Sequence, residues 1–203
     1  RADASLDVVG VETGPEAADA AVACGAVHRA VADLDQGTDG ADLVALCVPP
    51  PQIVALLPRL AGRLAPGAVV TDTGSTKAAI ARAGAAFAAF VPGHPMAGGE
   101  RHGPAAARAD LFDRAHWPLT PTDATDPDAL ARVEAFVRSL GAEPFRIAPD
   151  DHDRAVALTS HLPHLLAFAL HRVARDRIEA GERHLPRLAA GGFHSATRVA
   201  ASS

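Results

Sequence analysis

Gly67-Ala68-Val69-Val70-Thr71-Asp72-Thr73-Gly74-Ser75-Thr76-Lys77 opens as an apolar run, ends in a polar loop, and leads into a helix-forming stretch, Thr76 to Ala83. The run is short and rich in Val and Thr, which favours a buried strand. The same strand-then-helix order lies upstream. Asp42 to Val48 predicts a strand and Pro51 to Leu64 a helix; before them, Leu6 to Glu12 predicts a strand and Pro15 to Gly25 a helix with Pro near its start and Gly at its end. Downstream, Phe87 to Val91, His116 to Thr120 and Glu143 to Ile147 are strand candidates, with Pro127 to Leu140 a helix before the last. Strands alternating with helices predict an α/β fold with a doubly wound parallel sheet. In such sheets ligands bind at the carboxyl ends of the strands.

After Ala148-Pro149-Asp150 no strand candidate remains, and Asp153 to Ala180 predicts one long helix with apolar residues at Val156, Leu162, Leu165, Leu166, Leu170 and Val173. The chain is therefore expected to divide into residues 1–149, a dinucleotide-binding domain, and residues 150–203, an all-helical domain. The second part is too short for a core of its own, which predicts packing on the first domain or on a second copy, as a homodimer through these helices.

Composition narrows the function. Of 203 residues, 48% are apolar and 21% charged, which argues against disorder. A net charge of −5 without a basic run argues against nucleic acid as a partner. No uninterrupted apolar run reaches membrane-spanning length and Arg1-Ala2-Asp3-Ala4 is no signal peptide, so no membrane partner is expected. Cys24 and Cys47 lack the spacing of a disulfide framework or zinc site, which fits a cytoplasmic location and no metal.

A dinucleotide domain opens with a strand and a G-x-G-x-x-G turn. None is present, and Gly98-Gly99-Glu100-Arg101-His102-Gly103 is late and wrongly spaced. Glu12, however, stands where the second strand of such a domain ends in an acid that binds the adenosine ribose diol. The sequence is thus expected to begin inside the domain. An acid there favours NAD over NADP, whose 2′-phosphate it would repel. The alternative reading of Glu12 is a solvated carboxylate.

Gly74-Ser75-Thr76-Lys77 has the wrong order for a triphosphate-binding loop. Ser75 and Thr76 are either caps for the following helix or groups facing a cofactor crevice. His94, in Gly93-His94-Pro95-Met96-Ala97-Gly98-Gly99-Glu100, is biased toward extended backbone by Pro95 and is expected at a strand end. Histidine titrates near neutrality and can accept a proton from an alcohol while a hydride leaves the same carbon.

In Thr159-Ser160-His161-Leu162-Pro163-His164 a proline interrupts a helical pattern, and local rules tend to fail at functional sites. Ser160 and His164, four apart, share a helix face. In Gly191-Gly192-Phe193-His194-Ser195-Ala196-Thr197-Arg198, Arg198 is a candidate anchor for a carboxylate, which a guanidinium clamps with two hydrogen bonds.

Taken in order, Val9-Gly10-Val11-Glu12, Asp72-Thr73-Gly74-Ser75-Thr76-Lys77, Gly93-His94-Pro95-Met96-Ala97-Gly98, Ser160-His161-Leu162-Pro163-His164 and Gly191-Gly192-Phe193 with Thr197-Arg198 resemble the prephenate and arogenate dehydrogenases of tyrosine biosynthesis. The resemblance implies a Rossmann-type cofactor domain, a helical dimerisation domain, and NAD-dependent oxidative decarboxylation of prephenate, or of arogenate. It further implies His94 and Ser75 as catalytic residues, with Ser75 also touching the nicotinamide. Arg198, His164, Ser160 and Gly191 would bind substrate, and Glu12 the cofactor. The sequence departs from the pattern in the absent glycine turn, in Gly99 where a side chain could touch substrate, and in ending at Ala201-Ser202-Ser203.

Two rivals remain at this stage. Two-domain hydroxyacid or imino-acid dehydrogenases share the architecture but typically rely on a lysine in the helical domain, and Lys77 is the only lysine of the chain. A non-catalytic cofactor-binding regulatory module would have no use for His94, Ser75 and Arg198 together.

Overall fold

The computed structural model describes residues 6–98, 103 and 106–200. It divides into two compact units, Arg1–His152 and Asp153–Ser203.

In the first unit, β1 (Val9–Val11), α1 (Pro15–Ala23), β2 (Arg29–Val31), α2 (Leu34–Thr38), β3 (Leu43–Leu46), α3 (Pro50–Leu60), β4 (Val69–Asp72), α4 (Ala78–Ala83) and β5 (Phe90–Val91) alternate as expected. They are followed by β6 (His116–Leu119), α5 (Pro127–Ser139) and β7 (Glu143–Arg146). Pairing is parallel throughout the named strands: β1 with β2, β3 with β4 and β4 with β5, and β6 with β7. An antiparallel bridge from Gly93 to Leu119 joins the continuation of β5 to β6.

The alternation of side chains along β4 and β5 explains why helices cover both faces. Val69 and Val91 pack with Trp117, Val133 and Val137, under α5. Their neighbours Val70 and Phe90 pack on the opposite face with Ile53, Leu57 and Ile80, under α3 and α4. A strand flanked on both faces reads as a continuous apolar run, and all four residues of β4 are buried. Each large side chain so buried contributes about 1.5–3 kcal/mol. In α5, Pro127 sits in the first turn behind an Asp126 cap whose side chain accepts from Asp128 N, and Ala129, Leu130, Val133 and Val137 are buried on one face. The α/β, Rossmann-type fold followed by a helical unit agrees with the sequence reading.

β2 and α2 were not anticipated. β2 has three residues and α2 five, too few for a period to show. The Asp33 side chain caps α2 by accepting from Gln36 N at 2.9 Å.

The long helix predicted over Asp153 to Ala180 changes its winding part-way. It consists of α6 (Pro149–Val156), a π-helical turn at Ala157–His161, and α7 (Leu162–Glu179), followed by α8 (Leu185–Leu188) and α9 (Gly191–Thr197). Pro163, which has no N–H to donate, lies in the first turn of α7 directly after the π-helical turn, where the backbone register changes. Of α7, only Ala167 is buried. Leu165, Leu166 and Val173 are 60–66% exposed. Among the described residues no helix is long and apolar enough to cross a membrane.

Candidate active site

The site begins with Asp72, the last residue of β4, which is fully buried. A buried carboxylate must be paired. One oxygen, Oδ2, accepts from Gly74 N at 2.8 Å and from Lys77 Nζ; the other, Oδ1, accepts from Gly93 N at 3.1 Å. Lys77 Nζ, fully buried as well, also donates to Gly93 O at 2.6 Å. Burial pushes the Asp72 carboxyl above its ordinary range, against the pull of the Lys77 ammonium and the two backbone N–H groups. A single ion pair thus ties the loop after β4 to the loop after β5. The residues immediately before Ser75 and His94 are held on the two oxygens of one carboxylate.

Both glycines are required by close approach. A Cβ on Gly74 would come within 2.7 Å of Ile80 and 2.9 Å of the Asp72 carboxylate; one on Gly93 would come within 2.7 Å of Trp117 Nε1 and 3.1 Å of Asp72 O.

His94 follows shortly after β5, its N–H donating to Pro118 O at 3.0 Å, and Met96 N donates to His116 O at 2.8 Å. The imidazole is half-buried, and its Nδ1 lies 2.9 Å from Nε2 of His152 near the start of α6. Gly99, next in the sequence motif, lies outside the described residues, as do Glu100 to His102 and Ala201 to Ser203.

Ser75 is exposed, and α4 starts at Ala78 with Lys77 in the capping position, the Lys77 side chain itself making no cap hydrogen bond. Glu12 follows β1, its N–H donating to Val31 O; its exposed carboxylate accepts from Gly14 N at 2.9 Å, at the turn into α1. The carboxyl ends of β1 and β4 thus offer an exposed acid and an exposed hydroxyl along the edge where doubly wound sheets hold dinucleotides.

The second unit carries the remaining candidates. His164 Nδ1 donates to Ser160 O at 2.8 Å across the π-helical turn. His164 is exposed and Ser160 half-buried. Gly191 opens α9 and Arg198 closes it, both exposed, while Thr197 beside Arg198 is buried with Oγ1 donating to Phe193 O at 2.8 Å.

Sequence reasoning missed Asp72, Lys77 and His152. The signal for the first two was legible: an acid ending a fully apolar strand and the sole lysine five residues on. His152, within Asp150-Asp151-His152-Asp153, gave no signal, since a histidine among acids reads as solvated surface.

Against this geometry, two family models match the chain in succession: prephenate dehydrogenase, nucleotide-binding domain, over residues 1–145, and prephenate dehydrogenase, dimerization domain, over residues 148–203. The chain belongs to the prephenate dehydrogenase family. The cyclohexadienyl dehydrogenase of Zymomonas mobilis is 34% identical over 173 residues, covering 84% of this chain and 59% of that protein. The prephenate dehydrogenase of Bacillus subtilis is 31% identical over 204 residues, covering 97% and 54%. The chain thus spans little more than half the length of these curated relatives. Among solved structures, prephenate dehydrogenase from Aquifex aeolicus in complex with hydroxyphenyl propionate and NAD+ is similar with a TM-score of 0.86 and 28% identity, covering 98% of this chain and 71% of that one.

Proposed function

We propose that this chain supplies the cofactor- and substrate-binding parts of an NAD-dependent dehydrogenase that converts prephenate to 4-hydroxyphenylpyruvate. The observation that carries the reading is the buried Asp72–Lys77 pair, which holds the His94 and Ser75 loops together at the carboxyl edge of a parallel sheet. It is supported by the names of the Bacillus and Zymomonas relatives and by the ligands of the Aquifex structure.

The residues present fit a dinucleotide. The exposed Glu12 carboxylate suits the ribose diol and favours NAD over NADP, and the exposed Ser75 hydroxyl suits the nicotinamide end. NAD, when bound, supplies the acceptor for the hydride on the carbon that bears the ring hydroxyl. His94 takes the hydroxyl proton, and Ser75 orients hydroxyl and imidazole. The ring carboxylate leaves as carbon dioxide, and its bonding pair completes the aromatic ring. The proton returns to the ring oxygen. From the second unit, Arg198 is assigned to a substrate carboxylate, with Ser160, His164 and Gly191 assigned to the substrate's side chain.

The exposed apolar residues of α7 and the match to a dimerization domain support a homodimer. Neither Cys24 nor Cys47 is in a disulfide, which supports a reducing, cytoplasmic setting.

The test is NADH formation by the complete protein, with prephenate and arogenate offered in parallel and each repeated with NADP. Turnover of prephenate with NAD is expected. Turnover of arogenate alone would move the side chain accepted from pyruvyl to alanyl, and silence with both would remove the reading.

A further inference from the structure

We propose that His152 is a positioning residue: its Nε2 accepts the Nδ1–H of His94 and thereby places the lone pair of His94 on Nε2, which carries no hydrogen there and acts as the base. This rests on the reading of His94 as the group that takes the hydroxyl proton.

The two nitrogens are 2.9 Å apart, a hydrogen-bond distance, and the rings meet edge to face, with centroids 5.1 Å apart and planes at 69°. A neutral imidazole has one N–H and one lone pair, so two neutral rings joined this way share a single proton in one of two arrangements. If His152 Nε2–H donates, His94 carries its own proton on Nε2 and has no lone pair left there for a substrate. If His94 Nδ1–H donates, His94 Nε2 is an acceptor. Only the second arrangement makes His94 a base.

His152 is 2% exposed, whereas His94 is half-buried at the sheet edge, so His94 is the ring of the pair that a substrate can reach. Asp150, Asp151 and Asp153 stand beside His152 in sequence, and the Asp72–Lys77 pair is joined to Gly93, next to His94.

Each ring has its own backbone anchor. His94 N is held by Pro118 O of β6, and His152 N donates to Ala148 O at 2.9 Å in the first turn of α6. Each ring is thus carried on hydrogen-bonded backbone, as precise support of a reacting group requires.

The test combines a spectrum with kinetics. Long-range nitrogen–proton NMR of histidine-labelled protein reads which nitrogen of His94 carries hydrogen and needs no activity. The wild-type protein is expected to show His94 as the Nδ1–H form. His152→Phe, which keeps a ring but removes the acceptor, is expected to move His94 toward the Nε2–H form and to lower kcat for prephenate about 10- to 100-fold, the usual cost of losing a group that orients a reacting ligand or base, while KM holds. His152→Gln, whose Oε1 can accept the same hydrogen, should restore the Nδ1–H form and most of the turnover.

A wild-type spectrum with His94 in the Nε2–H form would overturn the proposal, even if His152→Phe does not fold. So would a folded His152→Phe protein with unchanged kcat. If His94→Asn loses no activity, the assignment of His94 as base fails instead, and the spectrum still reports whether the pair shares its proton as described.

Discussion

At the scale of single residues, the chemistry is concentrated on side chains whose surroundings decide what they can do. His94, the proposed base, has its backbone hydrogen-bonded to β6 and its ring half-buried. Replacing it in His94→Asn is expected to lower kcat by about 10²- to 10⁴-fold with little change in NAD affinity, as measured by steady-state rates and cofactor titration. An unaltered rate would remove it from the mechanism. Lys77 has a different task. Its ammonium is fully buried against Asp72, and Lys77→Met would leave that carboxylate without its countercharge, at a cost of about 3–5 kcal/mol in denaturant unfolding. The sign with pH follows from the direction of the shift. Burial holds the Asp72 carboxyl above its ordinary range, so the penalty of the charged form is full above that raised value and disappears as the carboxyl takes a proton. The deficit of Lys77→Met should therefore shrink as pH falls. A deficit that grew in acid would contradict the assignment.

At the scale of elements, length decided what could be read. β4, with four buried residues between α3 and α4, announced itself as an apolar run; β2 and α2 were silent because three and five residues carry no period. The π-helical turn before α7 was half legible. Pro163 showed that something must give, but only the backbone showed the widened turn just before it. Elements are also joined by charge. Glu134 on α5 accepts from Arg146 Nε of β7 at 2.7 Å and from Arg138 at 3.2 Å, and the Arg146 bond leads in holding its carboxyl below the ordinary range. Stability from such a group is present above the usual carboxylate pKa and is lost as pH falls through the lowered value. Glu134→Gln should lower the Tm modestly at pH 7, since the arginines are exposed, and the gap between variant and parent should close as pH falls below the usual carboxylate range. A gap independent of pH would mean that packing, not charge, joins α5 to β7.

At the scale of the whole molecule, the second unit presents Leu158, Leu165, Leu166 and Val173 at 60–66% exposure, more apolar surface than one helix normally leaves to water. If these residues form the core of a homodimer, Leu165→Glu should shift sedimentation toward monomer at micromolar protein, whereas an unchanged oligomer would place the interface elsewhere. By itself the sequence determined the alternation of strands and helices, the change to an all-helical part near residue 150, and the positions of Glu12, Ser75, His94 and Arg198 within recognisable motifs. These are legible because periodicity, turn chemistry and motif spacing are local properties of a chain. Only the tertiary structure decided that Asp72 and Lys77 bind the two loops to each other, and that His152 faces His94 across 58 positions of sequence. Those contacts depend on which side of a strand a residue faces and on what the folded chain brings opposite it, and spacing along the sequence does not encode either.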